Sequence, residues 1–226
     1  MLFWPHSIFF VLFMESSLNV TTILIGITVL ISWVAFSRPL LVRRFVLNPY
    51  LVASQHQYYR FISSGFLHGD FYHLLWNMLS LYFFGSVVEV YFAYIFGEYS
   101  TWYFVAFYLM AIVVSDIPTF FKHRHHPGYN SLGASGGVAA VIFASIIFQP
   151  LQNICFYFFI CLPGFILGIA YLIWSYYKGR AANDNINHEA HLYGALFGLI
   201  FCIVMYPASL AHFLEQLKEW EWQQLF

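Results

Sequence analysis

The chain has 226 residues, of which 61% are hydrophobic and 8% are charged, and its mean hydropathy is +0.70. A soluble domain carries about a quarter charged residues, so this composition excludes an ordinary water-soluble fold and points to a polytopic membrane protein. Nine basic against ten acidic residues leave a formal charge of −1 and no electrostatic case for a nucleic-acid partner.

Residues 1–17 form an apolar N-terminal segment that is too short to span a bilayer and lacks a basic leading region. It reads as a poor signal peptide, with Met14 as an alternative start. A membrane-crossing helix needs about 20 apolar residues, and fewer when it is buried among other helices. Six spans are expected on that measure, over residues 18–36, 71–96, 102–117, 134–148, 154–177 and 190–206, within a membrane domain covering 18–207. The expected fold class is therefore an all-α polytopic bundle of six transmembrane helices, the fourth of them short. Arg38 and Pro39 end the first span, Asp116 and Pro118 the third, and Pro150 the fourth. The connection over residues 37–70 is longer than a connector needs to be, which predicts structure or function of its own.

Eight of the nine basic residues (Arg38, Arg43, Arg44, Arg60, Lys122, Arg124, Lys178 and Arg180) fall on the side of the long loops, and Lys218 lies opposite. The positive-inside rule would put the long loops in the cytoplasm. In the tail, 208–226, Leu210, Phe213, Leu214, Leu217 and Trp220 recur at helical spacing opposite Glu215, Lys218 and Glu219. That pattern predicts an interfacial amphipathic helix with Trp220 and Trp222 at the headgroup level. Cys155, Cys161 and Cys202 lie in apolar stretches, match no metal motif and read as packing residues.

Polar side chains inside a span are costly and mark functional sites. Gly133-Ala134-Ser135-Gly136 opens the fourth span, and Gly136, Ala140 and Ala144 continue it as a seam of small residues suited to close helix packing. In the sixth span His191, Gly194 and Gly198 share one helical face, whose glycines would let the fourth span's backbone approach and bring His191 within reach of Ser135. A serine hydroxyl becomes nucleophilic when a base removes its proton, and histidine is the usual base, so the pair reads as a Ser-His dyad. Glu189, two residues before His191, points about 200° away on a helix and does not orient the ring. His73 and Asn77, one turn apart in the second span, are candidate donors to a developing oxyanion, or an interhelical hydrogen-bonding pair. His68, just before that span, fits either role. Glu89 in the same span has no evident partner in the sequence.

Ten histidines also raise a metal transporter or metal-dependent membrane enzyme, through His123, His125 and His126 in one loop and through His188 and His191. The metalloprotease pattern needs two histidines four residues apart, and His188 and His191 are one residue short of it. The run from Lys122 to His126 reads instead as a solvated loop facing lipid headgroups.

At His68-x4-His73-x3-Asn77, at Gly133 to Gly136 and at Ala190-His191-x2-Gly194-x3-Gly198 the sequence resembles the rhomboid family of intramembrane serine proteases. The resemblance runs from the first span to the sixth. It implies a compact six-helix core with a short central fourth helix at the base of a water-filled cavity, and Ser135 and His191 as catalytic residues. His73, Asn77 and the Ser135 backbone N–H would form the oxyanion hole, with His68, Gly133, Gly136, Gly194 and Gly198 in support. It also implies transmembrane protein substrates, contact with membrane lipids, no cofactor and no metal. A multi-pass protein of a bacterial plasma membrane is expected from it, with the site facing outward. The charge count opposes that orientation; helix order and motifs fix which face bears the site, and its outward placing follows from the family by analogy. Two positions depart from the pattern. Ala139 stands where rhomboids commonly carry an aromatic residue that stacks on the histidine, and Tyr59-Arg60 replaces a Trp-Arg pair in the first long loop. A relative that has lost catalysis and only binds membrane proteins is the remaining alternative, and possession of both Ser135 and His191 argues against it.

Overall fold

The computed structural model describes residues 19–156, 160–181 and 186–220; the N-terminal segment with its alternative start, and Trp222, lie outside them. Asn19 opens α1 (Val20–Phe36) by accepting a hydrogen bond from Thr22 N at 2.8 Å. Three short helices follow in the first long loop, α2 (Pro39–Phe45), α3 (Pro49–Gln55) and α4 (Arg60–Ser63), then a 3₁₀ turn over Ser64–Phe66. α5 (Phe71–Phe96) is capped by Asp70, and a 3₁₀ turn at Gly97–Tyr99 leads into α6 (Ser100–His123). α7 (Ser135–Phe148), a hairpin of β1 (Asn153–Phe156) and β2 (Ile160–Pro163), α8 (Gly164–Ala181), α9 (His188–Met205) and α10 (Ala208–Lys218) complete the described chain.

α7 is the central element. Twelve of its 14 residues are buried, against α5, α6, α8 and α9. At 1.5 Å per residue it is about 21 Å long, shorter than the hydrocarbon core of a bilayer. Around it Phe92, Phe104, Phe107 and Tyr108 are fully enclosed, and Tyr91 stacks on Phe148 with centroids 4.4 Å apart. The outer surface inverts the soluble pattern: Trp33, Trp76 and Trp102 are 64%, 60% and 72% exposed while Thr21, Thr28, Ser32, Ser115 and Thr119 are buried. Two helical stretches, Phe71–His123 and His188–Met205, are long and apolar enough to cross a membrane, and Val20–Phe36 and Ser135–Phe148 are shorter apolar helices.

Several expectations need correcting. The protein is mostly helical rather than all-α, because residues 154–156 and 160–163 of the expected fifth span lie in β1 and β2, antiparallel with Cys155 opposite Cys161. A continuous apolar run does not distinguish a strand from a buried helix, and Pro163-Gly164 marks the change of structure. Cys155 and Cys161 are joined in a disulfide across that register, so they are not packing residues; Cys202, buried in α9, is one. The third helix does not stop at residue 117 but runs through Pro118 to His123. Its last turn is held from outside, since Thr119 is hydrogen-bonded to Asn187 and Lys122 pairs with Glu189 at 2.6 Å. A proline then deforms a helix without ending it.

The first long loop is folded. Asn48 caps α3 by accepting from Leu51 N, and its Nδ2 donates to the carbonyls of Pro127 and Tyr129 at 2.9 and 3.2 Å. Leu47 and Ser131 exchange backbone bonds as an isolated bridge. Arg60 is buried, with Nη1 donating to Val46 O at 2.6 Å and Nε to Gln57 Oε1 at 2.7 Å, so it staples the loop from inside. Glu89, for which the sequence offers no partner, accepts from the backbone N–H groups of Val20 and Thr21 and satisfies two amides that α1 leaves open at its start. α10 carries the first part of the expected amphipathic tail.

Candidate active site

Ser135 is the first residue of α7, and the turn before it is pinned from three sides. Gly133 has φ of 126°, a conformation that disfavours any side chain, and its N–H donates to Ser64 O at 3.0 Å. A Cβ there would lie 2.7 Å from the His73 ring, so the imidazole rests directly on the glycine. Ala134 N–H donates to His68 Nε2 at 3.4 Å. Because Nε2 accepts, Nδ1 carries the proton and donates to Ser32 Oγ at 2.9 Å, and Ser32 Oγ in turn donates to Phe66 O. His68 is thereby held neutral. Burial first, and the neighbouring His73 second, push its pKa down to about 3, against the opposing pull of Asp70.

His73 and Asn77 lie one turn apart on α5, with Asn77 Nδ2 donating to His73 O at 2.8 Å. That bond uses one of the amide's two hydrogens. The rings of His68 and His73 meet edge to face with centroids 4.9 Å apart. At the start of α7 the backbone N–H groups of Ser135 and its successors lack helical partners by construction, and they point out of the helix end.

α9 brings the second half of the site. A Cβ on Gly194 would run into the carbonyl of Gly136, and one on Gly198 into the carbonyl of Ala140, so the two helices touch backbone to backbone. A Cβ on Gly136 would collide with Ser115 and lie 3.4 Å from Ala190 O, which sets the first turn of α7 level with the first turn of α9. His191 stands in that turn and is half-buried, as are Ser135 and His73, so water has access to all three. Ser135 and His191 are not hydrogen-bonded to each other in this structure. Catalytic hydrogen bonds are often long before substrate arrives, so this geometry does not disqualify the pair.

The other residues raised by the sequence are distributed elsewhere. Glu189 bonds to Lys122 and faces away from His191. His123, the last residue of α6, stacks at 3.7 Å on Tyr129 of the following loop, and His188 packs edge-on against Trp174 at 4.8 Å. Among the described residues no three His, Cys, Asp or Glu side chains converge as a metal site. Sequence reasoning missed Asn187, which caps α9 by accepting from Ala190 N at 3.1 Å and donates to Thr119 Oγ1 at 2.9 Å and Ser131 Oγ at 3.2 Å. An asparagine directly before a helical His-Glu-Ala-His run is a cap signal, and the buried Asp116 and Thr119 in one turn of α6 mark its receiving face. Tyr171 of α8, beside His191, was also missed; its signal is the missing bulk at Ala139.

A helical bundle that turns aromatic and aliphatic side chains outward, and gathers histidines, an asparagine and a serine around a glycine-bound central helix, is a membrane protein with a polar interior site. The Rhomboid domain model matches residues 55–208, and the chain belongs to the rhomboid family. It is also similar to a RHOMBOID-like protein 12, mitochondrial, of Arabidopsis thaliana, with 28% identity over 188 residues, 76% of this chain. The chain spans about half of that relative's length, 53%. A plant mitochondrial relative lends no support to the expected bacterial plasma membrane.

Proposed function

We propose that this chain is an intramembrane serine endopeptidase, with α1 and α5 to α9 in the bilayer and transmembrane proteins as substrates. One observation carries the reading: the backbone contact of α7 with α9 sets the turn at Ser135 level with His191 while His73 rests on Gly133. Ser135 Oγ attacks the carbonyl of a locally unwound substrate segment and His191 takes its proton. A continuous helix hides its carbonyls in internal hydrogen bonds, so unwound segments are selected. The Ser135 backbone N–H, with His73 and Asn77, receives the oxyanion. His191 then protonates the leaving amine, and water, reaching the half-buried site, hydrolyses the acyl-enzyme with His191 again as base.

The test is labelling of liposome-embedded protein with a fluorophosphonate probe, together with cleavage of a transmembrane substrate. Ser135→Ala and His191→Ala should each abolish both, and Asn77→Ala should slow cleavage by about two to three orders of magnitude or less. Turnover retained in Ser135→Ala refutes the serine mechanism. A second reading, a rhomboid-like binder without catalysis, draws on the absent Ser135–His191 hydrogen bond. It predicts a folded wild type that takes no label.

A further inference from the structure

Among the described residues no carboxylate is hydrogen-bonded to the His191 ring. Glu189 is held by Lys122 at 2.6 Å, and the rings of Tyr171 and His188 stand beside the imidazole. Tyr171 lies beside the imidazole with its ring nearly parallel to it, centroids 6.4 Å apart and planes inclined by 23°. His188 meets it edge-on at 6.0 Å. The place of Tyr171 follows from what α7 and α9 lack. Ala139, one turn beyond Ser135, and Ala195, one turn beyond His191, are both buried and form with Phe143 a small cluster apart from the main core. Two methyl groups leave room there for a ring from a third helix. Tyr171 of α8 packs into that cluster, 5.8 Å from the Phe143 ring, which fixes its plane.

We propose that Tyr171 is the positioning residue for His191: its ring, delivered from α8 into the space over Ala139 and Ala195, holds the imidazole plane in the orientation that accepts the serine proton. This rests on the serine protease reading. A ring held nearly parallel beside the imidazole restricts its rotation. The phenolic hydroxyl is not required; the plane is.

The experiment compares Tyr171→Phe, which keeps the ring, with Tyr171→Leu, which keeps apolar bulk and removes the plane. Both are reconstituted in liposomes after thermal melting has shown them folded. With a transmembrane substrate, Tyr171→Leu should lose about tenfold to a hundredfold in kcat with KM unchanged, as expected for a misoriented base. Tyr171→Phe should stay within about twofold of wild type, since its plane is intact. Carbethoxylation of His191 by diethyl pyrocarbonate, followed by mass spectrometry, reads the ring without reference to catalysis. It should accelerate in Tyr171→Leu and not in Tyr171→Phe. The proposal is overturned if folded Tyr171→Leu keeps wild-type kcat, if its loss lies in KM, if Tyr171→Phe fails equally, or if His191 modification is the same in all three. An inactive wild type whose His191 is still shielded by the Tyr171 ring would refute the protease reading and leave the stacking intact.

Discussion

Gly194→Ala is the most direct probe of how α7 and α9 hold the site. The added methyl meets the Gly136 carbonyl, a backbone atom that no rotamer change can move, so the helices themselves must part. Restoring ordinary van der Waals separation requires a displacement on the order of 1 Å, and misplacements of that size cost about a hundredfold in rate. Overpacking of this kind costs about 1–3 kcal/mol in stability, partly offset by the roughly 1 kcal/mol that alanine gains over glycine inside a helix. Gly26 in α1 supplies the control, because a Cβ there meets nothing within 4 Å. Gly26→Ala should therefore leave activity unchanged and stabilise slightly. Thermal melting and the rate of fluorophosphonate labelling measure the two effects separately. If Gly194→Ala labels at the wild-type rate, or melts no lower than Gly26→Ala, the backbone contact does not set the geometry and the reasoning fails.

Arg60→Met removes the buried staple of the first loop and leaves the Val46 carbonyl without its 2.6 Å partner. It should cost about 1–3 kcal/mol and make residues 37–70 more susceptible to limited proteolysis. His68 binds its proton far more weakly in the fold, at about 3, than in the unfolded chain, at about 6.5. The unfolded chain binds more protons between those values, so His68 contributes stability above about 6.5 that is lost as pH falls towards 3. Melting temperatures measured across that range should fall with pH, and less steeply in His68→Gln. Alkylation followed by mass spectrometry should modify Cys155 and Cys161 only after reduction, whereas buried Cys202 should react only after denaturation.

The parts legible in the sequence are those where one helical face carries one message. His191, Gly194 and Gly198 lie on a single stripe, and the structure puts the two glycines against α7. The start of α7 was readable at Ser135 because glycine, a small residue and a break in apolarity coincide there. What escaped depends on partners distant in the chain. Pro118 reads as a terminator until Asn187 is known to hold the turn beyond it. Glu89 lacks a partner until α1 folds back onto it. The apolar run from Ile154 carries no periodicity that separates strand from helix, and a disulfide between cysteines six residues apart needs the hairpin register to become visible. Tyr171 reads as one more aromatic residue in an apolar helix, because the role proposed for it depends on two alanines on other helices.

The junction at Asn187 has a consequence for how the protein is made. Ser135 and the loop bearing Ser131 emerge from the ribosome well before Asn187 and His191, so the nascent chain carries its proposed nucleophile for a time without a base. Only when α9 arrives does Asn187 reach Thr119 and Ser131, and the same event carries His191 to the open end of α7. Assembly of the site thus waits for α9, late in the order in which the helices emerge. If the proposed activity holds, the chain is silent towards neighbouring membrane proteins during its own insertion, and a chain truncated before Asn187 stays silent.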